Sequence, residues 1–358
     1  MIALLVGTRP ELIKIAPVLR ELKLKKVPHV LIHSNQHYSE ELDAQIIRDL
    51  GIIKPDINLH VGSGSHAVQT GRILEGVEST CIRINPQFLI VHGDTNTTLA
   101  GALAAKKLHF PVGHIEAGLR SFDYSMPEEI NRILTDRISD VLFAPTEGAK
   151  KNLAKEGIRK NVFVVGNTVV DALNQHMPLA KKTSILSRLH LNKDTYILVT
   201  AHRAENVDDK ERLKLLLNLL EHASRVLKMP IVWPMHPRTS NSIQLNNLSL
   251  PREIMKLPPV GYLEMLALMN AAKLILTDSG GIQEEAYILK KPLITLRSST
   301  ERPETLTANS IVDLDQSKFD TAVKLYKEGK MLWTNAFGNG DSAKKIVVIM
   351  DKLLSRTK

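Results

Sequence analysis

A chain of 358 residues exceeds what one hydrophobic core usually serves, so two domains are expected. Its 43% apolar and 24% charged residues exclude a fibre, a repeat array and a disordered chain, and its single cysteine, Cys81, excludes an internal disulfide and fits a reducing compartment. The net charge of +9 is scattered and aromatic residues make up only 4%, which favours a few cations for an anionic substrate over a nucleic-acid surface.

Strand-like and helix-like segments alternate from the first residue. Met1 to Val6 is a short β-rich run without the charged segment of a signal peptide. Thr8 then reads as an N-cap, with Pro10 near the first helical position and Leu12, Ile13, Ile15, Ala16, Leu19 and Leu22 at helical spacing. Strands follow at His29–His33 and Phe88–His92, and Thr95 to Thr98 opens an alanine-rich helix over Leu99–Leu108. Val112–Ile115 is again a strand, Pro127-Glu128-Glu129 starts a helix reaching Ile138, and Val141–Ala144 and Val162–Val165 extend the strand series. The second half repeats the pattern, with strands at Tyr196–Thr200, Ile231–Pro234, Leu274–Thr277 and Pro292–Leu296. Helices are expected at Lys210–Leu227, Leu263–Ala272, Ile282–Leu289 and Ser342–Leu354. No stretch approaches the 18 or more uncharged apolar residues of a membrane helix, so a soluble, cytoplasmic protein is expected.

Such alternation predicts an α/β fold of two Rossmann-like doubly wound parallel-sheet domains facing a central cleft. The division is placed at 1–168 and 169–341, with the helix 342–358 packing back on the first domain. Ligands of such sheets bind outside the carboxyl ends of the strands. The polar clusters fall there: Gly7-Thr8-Arg9-Pro10-Glu11 with Lys14, His92-Gly93-Asp94, His114-Ile115-Glu116, Pro127-Glu128, His202-Arg203, His236-Pro237, Asp278-Ser279-Gly280-Gly281 and Glu301-Arg302. Stability alone does not require charge at these places. Ser279-Gly280-Gly281, ahead of a helix, exposes backbone N–H groups suited to a phosphate. Glu285, one turn into that helix, is suited to vicinal ribose hydroxyls, with a solvated helix glutamate as the plainer alternative.

Several decoys fail. A phosphate-binding P-loop is absent, and Gly62-Ser63-Gly64-Ser65-His66-Ala67, outside the opening strand–helix–strand unit, reads as a turn. His114-Ile115-Glu116 lacks the paired cysteines of a zinc deaminase, and His33 with His37 spans strand and loop, so no metal site is predicted.

Taken together, GTRPE from Gly7, HGDTNTTLA from His92, HIEAGLRS from His114, TDSGGIQEEA from Thr277 and TERPE from Thr300 resemble the UDP-N-acetylglucosamine 2-epimerase family of non-hydrolysing type. The resemblance runs nearly end to end. It implies a glycosyltransferase-B-like fold, a homodimer, and interconversion of UDP-GlcNAc and UDP-ManNAc with no cofactor, neither NAD nor an obligatory metal. It assigns acid–base and sugar-site roles to Asp94, Glu116, Glu128 and His202, with Arg9 and Lys14 beside them. Ser279, Gly280 and Gly281 would hold phosphate, Glu285 the ribose, and His236 and Arg302 other parts of the nucleotide. In bacterial members a second UDP-GlcNAc serves as activator; Gln36-His37 resembles part of that site, with Ser39 replacing an expected glutamine. Ala204 stands where a second arginine is usual.

The chemistry makes its own demands. Carbon 2 of an N-acetylhexosamine is not α to a carbonyl, so a route without a redox cofactor must loosen its proton by other means, and expelling UDP from carbon 1 does so. Arg9, Lys14, Arg203, Arg302 and the helix N-terminus at Ser279 are candidates to stabilise the leaving group. Asp94, Glu116 and Glu128 are candidates for bases on the two faces of the ring. Two rivals stay open: a hydrolysing epimerase that releases ManNAc, and a glycosyltransferase of the same architecture.

Overall fold

The structure is a computed structural model that describes residues 1–36, 51 and 54–355. It divides into two compact units, Met1–Asn174 with the stretch from Ala336, and Gln175–Asn335. The change of unit falls inside the helix Thr168–Ala180.

In the first unit, seven parallel strands lie in the order β3-β2-β1-β4-β5-β6-β7. They are β1 (Ile2–Val6), β2 (His29–His33), β3 (Ile57–Asn58), β4 (Phe88–His92), β5 (Val112–Ile115), β6 (Val141–Ala144) and β7 (Val162–Val164). The second unit has six, in the order β10-β9-β8-β11-β12-β13. These are β8 (Ile197–Thr200), β9 (Ile231–Pro234), β10 (Ile254–Leu257), β11 (Leu274–Thr277), β12 (Leu293–Thr295) and β13 (Asn309–Ile311). Both orders reverse direction beside the first strand of the unit, between β1 and β4 and between β8 and β11.

The continuous apolar runs follow from burial on both faces. Along β1, Ile2, Leu4 and Val6 pack with Leu12, Ile15 and Val18 of the helix Arg9–Leu24, and with Ile346, Val347 and Met350 of the C-terminal helix Ser342–Ser355. Ala3 and Leu5 face the other way, onto Ile73, Val77 and Cys81 of the helix His66–Ile84 and the alanines of the helix Asn96–Lys107. Those alanines, with Gly101, let the second helix approach closely: a Cβ at Gly101 would collide with Leu5. Burial also pushes the Cys81 thiol up to about 11, leaving it an inert core group. In the second unit Leu213, Leu216, Leu217 and Leu220 form the apolar stripe of the helix Lys210–Leu227, each leucine contributing about 1.5–3 kcal/mol by leaving water.

Some elements had no clear sequence signal. Strand β3 has two residues, β13 is Asn309-Ser310-Ile311, and β10 exposes Met255 and Lys256. The helix His66–Ile84 carries two glycines that dilute its periodicity; Ser65 caps it, its hydroxyl accepting from Val68 N at 3.4 Å, so the apparent fingerprint at Gly62 is a turn and a cap. Among the described residues no helix is long and apolar enough to cross a membrane.

Gly118 shows how tightly one site loop is packed. Its φ is +83°, and an added Cβ would collide with the Ala149 carbonyl. The substitution Gly118→Ala should therefore lower unfolding free energy by at least about 2 kcal/mol, read from urea denaturation. An unchanged midpoint would contradict this packing.

Candidate active site

Doubly wound sheets offer their ligand crevice where the strand order reverses. In the first unit that place lies between the loops after β1 and β4, and one buried carboxylate joins them. Glu11 Oε2 accepts the Gly7 and Thr8 backbone N–H groups at 2.6 and 2.9 Å, while its Oε1 accepts the Thr95 hydroxyl at 2.8 Å. Burial raises the Glu11 carboxyl to about 7, against the lowering effect of these hydrogen bonds; nearby Asp94 adds to the rise.

Two further carboxylates are held beside it. Glu116 follows β5 in the left-handed region, φ +72°, a costly backbone for a residue with a side chain and one concentrated at functional sites. Its Oε1 accepts from Lys14 Nζ at 2.5 Å and from Asn167 Nδ2 at 2.9 Å, and all three groups are buried. Lys14 is thus paired with a carboxylate rather than standing as an open cation. Asp94, after β4, is 28% exposed and is gripped by Arg132, whose Nε lies 3.2 Å from Asp94 Oδ2 and whose terminal nitrogen makes a closer contact. The same buried guanidinium binds Glu129, and Glu129 in turn accepts from Ser121 N, Ser121 Oγ and Phe122 N.

The helix Pro127–Ile138 therefore splits its two first-turn glutamates. Glu129 is buried in this network; Glu128 is half-buried and has no hydrogen bond or ion pair among the described residues. Arg9, at the first position of its helix, is likewise half-buried and unpaired among them.

The second unit uses the same device in the opposite direction. Asp278, fully buried after β11, accepts the backbone N–H groups of His202 and Arg203 after β8, each at 3.0 Å, and Asn206 Nδ2 at 3.2 Å. The His202 ring sits 3.7 Å from Asp278 and 5.3 Å, centroid to centroid, from the exposed ring of His236, which follows β9. Burial holds the His202 imidazole below its usual range, opposed by Asp278 and assisted by the cations Arg203 and Arg238. The Arg203 side chain has no partner among the described residues.

Ser279 caps the helix Gly280–Ile288, with Gly280 and Gly281 at its first turn. A Cβ on Gly280 would lie 2.5 Å from Glu301 Oε1, so glycine is required for packing there as well as for backbone access. Glu285 is buried, which removes the solvated-glutamate alternative; its carboxylate raises the already buried Tyr262 phenol. Arg302 is buried too. Its Nε donates to Glu284, and Glu301, 3.8 Å from its Nη1, also accepts from Arg297 at 3.0 Å. Arg302 thus braces the loop behind Gly280 within a buried charge network.

Sequence reasoning gave no role to Glu11, Glu129, Arg132 or Asp278. Glu11 had a signal: Thr8 followed three residues later by Glu is a helix-start pattern. Arg132 and Asp278 act through contacts 38 and more than 70 residues distant, which periodicity does not register. Gln36 Oε1 accepts from Thr97 Oγ1 at 2.9 Å, whereas His37 and Ser39 lie outside the described residues. Among the described residues no group of three His, Cys, Asp or Glu gathers as a metal site.

Two doubly wound parallel units, each with polar loops and a capped helix N-terminus at its switch point, define the glycosyltransferase-B-like class of α/β proteins. A family model described as UDP-N-acetylglucosamine 2-epimerase matches residues 20–351, and the chain belongs to that family. The UDP-N-acetylglucosamine 2-epimerase of Methanocaldococcus jannaschii is 48% identical over 360 residues, with 98% of each chain covered. Its crystal structure in complex with UDP-GlcNAc and UDP superposes with a TM-score of 0.92 at 47% identity, covering 98% of this chain and 99% of that one. A Pseudomonas aeruginosa UDP-2,3-diacetamido-2,3-dideoxy-D-glucuronate 2-epimerase is 38% identical over 359 residues, covering 98% of this chain and 99% of that one.

The raised Glu11 carboxyl gives a signed pH effect. The folded state binds this proton more tightly than the unfolded chain, whose ordinary value is 4.5, so ionisation costs stability as pH climbs from about 4.5 to about 7. The stability difference between the natural protein and Glu11→Gln should therefore move against the natural protein across that window and flatten above it. Guanidinium unfolding of both at a series of pH values checks this, and a difference moving the other way would refute it.

Proposed function

We propose that the protein interconverts UDP-N-acetylglucosamine and UDP-N-acetylmannosamine by expelling UDP to give 2-acetamidoglucal and then adding it back. The observation that carries this reading is the set of three carboxylates Asp94, Glu116 and Glu128 on separate elements of the first unit, each in a different electrostatic setting: one on a guanidinium, one on an ammonium, one unpaired. A reaction that removes a proton from one face of a ring and returns it to the other needs more than one such group. As the C1–O bond breaks, its electron pair leaves with UDP; the positive charge developing at C1 acidifies C2–H, and a carboxylate takes that proton as the C1–C2 double bond forms. Delivery of a proton to the opposite face of C2, with return of UDP to C1, yields the epimer.

The second unit supports the nucleotide side of the reading. The Ser279–Gly281 N-terminus and Arg203 provide donors and charge for the diphosphate, with His202 as a proton donor or phosphate partner; Glu285 is assigned to the ribose and His236 to the nucleotide's other end. Arg9 adds a cation in the first unit, while Lys14 and Arg302 act through the carboxylates that hold them. None of these steps calls for a redox cofactor or a metal. The names of the M. jannaschii and P. aeruginosa relatives share carbon 2 and differ in the hexose substituents, and the higher identity to the former favours the N-acetylglucosamine substrate.

A homodimer belongs to the same proposal. Ile130 and Leu134 are exposed one turn apart on the helix that carries Glu128, and Phe122 and Tyr124 are exposed in the loop before it, which offers apolar side chains to a second chain. A second UDP-GlcNAc as activator, and a cytoplasmic setting, complete it.

In deuterated water, UDP-GlcNAc should gain deuterium at C2 and yield UDP-ManNAc, without an acceptor. Free ManNAc would instead indicate hydrolysis, and an absence of exchange would sink the elimination route. The variant Asp94→Asn should lower kcat by at least about 100-fold with the fold intact; full activity would remove Asp94 from the chemistry. Light scattering should give twice the chain mass, and Leu134→Glu with Ile130→Glu should halve it; an unaffected mass would place the dimer contact elsewhere.

A further inference from the structure

The segment from His114 to Arg120 does more than deliver Glu116. His114 lies on β5 and is fully buried, and each of its ring nitrogens faces an oxygen. Nδ1 is 2.7 Å from Asp136 Oδ1, and Nε2 is 2.7 Å from the Gly93 carbonyl oxygen. Both oxygens are acceptors, so each contact is a bond only where the nitrogen carries a hydrogen. A neutral imidazole has one N–H. In either tautomer the other nitrogen would set a lone pair against an oxygen at 2.7 Å.

The other way to satisfy both contacts is a proton on Asp136, and the surrounding charges oppose it. Asp136 Oδ2 accepts from Gly118 N at 3.0 Å and from Arg120 Nη1 at 2.7 Å. Were Asp136 neutral, the buried Arg120 would keep only the exposed Glu156, which it meets at 2.7 Å through Nε and Nη2, as its counter-charge. With an imidazolium, two cations face two carboxylates. His92, on β4, takes no share of that proton: burial holds its ring down to about 4, opposed by Glu116 and Asp94 and assisted by Lys14 and His114.

The His114–Asp136 pair joins the loops that carry two acid–base candidates. Gly93, the residue before Asp94, has φ +72°; its N–H donates to the Ile115 carbonyl at 3.0 Å and its carbonyl faces His114, so β5 holds both sides of it. Asp136 takes the Gly118 N–H from the loop that follows Glu116.

We propose that His114 is a positioning residue that works as a buried imidazolium, its two N–H groups tying the Gly93 carbonyl to Asp136 and so fixing the backbone from which Asp94 acts. The ring keeps both hydrogens throughout and exchanges none with the substrate. The positioning role rests on Asp94 as an acid–base group in the reaction proposed above; the double protonation of the ring does not.

Nitrogen-15 NMR of histidine-labelled protein without ligand reads the ring directly. The His114 signals are identified by their absence from His114→Gln or, should that variant not fold, by connection to the backbone amide of His114. Both nitrogens should carry a directly bonded hydrogen at neutral pH, and one bare nitrogen would overturn the proposal. In turnover, His114→Gln keeps a donor for only one of the two oxygens and should lower kcat about tenfold with KM little changed. Because the effect runs through Asp94, adding His114→Gln to Asp94→Asn should cost less than about twofold more. An unchanged kcat, a loss confined to KM, or a full further tenfold loss in the double variant would overturn the positioning role. Full activity in Asp94→Asn alone would defeat the reading of Asp94 and the positioning role with it, while the ring signal would still decide the imidazolium.

Discussion

Each unit of this protein depends on one buried carboxylate that bridges the two loops flanking the reversal in strand order. Glu11 reaches back from the first turn of a helix to the loop after β1 and across to Thr95 after β4. Asp278 reaches from the loop after β11 to the backbone after β8. Bonds from backbone N–H to a carboxylate are charge-assisted and shorter than neutral ones, and loss of the acceptor would strand two backbone donors at once. The cost is desolvation of the charge, visible in the raised Glu11 carboxyl. The two loops are thereby tied together, and the acid–base candidates Asp94 and His202 are mounted on them.

From those loops the chemistry divides into held and unheld groups. Asp94 and Glu116 are oriented by Arg132 and Lys14, both buried, so removing either cation would leave a carboxylate without its counter-charge in poorly hydrated surroundings. Arg132 does more, since its second contact with Glu129 anchors the loop at Ser121 and Phe122. The position of an acid–base candidate and the shape of a loop are therefore set by one guanidinium. Arg9, Glu128 and Arg203 remain unpaired among the described residues, which suits groups awaiting an anionic ligand or a reacting proton.

Much of this was legible in the sequence because buried parallel strands are continuous apolar runs and their polar exits stand out against them. Asp94, Glu116, His202 and Ser279 were found by that contrast alone, and family resemblance then gave them roles. What was hidden was pairing. Nothing in Pro127-Glu128-Glu129 says which glutamate is buried, because the choice is made by Arg132 one turn later and by the Ser121 loop. The ion pairs of Arg302 with Glu284 and Glu301 were equally hidden. Short edge strands such as β3 and β13 escaped because pairing with a neighbour, not their own composition, makes them strands.

The carboxylate bridges are most directly tested by amide hydrogen exchange in the unliganded protein. Gly7, Thr8, His202 and Arg203 should exchange as slowly as the interiors of β1 and β8, and Asp278→Ala should release His202 and Arg203 while Gly7 and Thr8 stay protected. Exchange of these four amides at the rate of exposed loops in the natural protein would contradict the account.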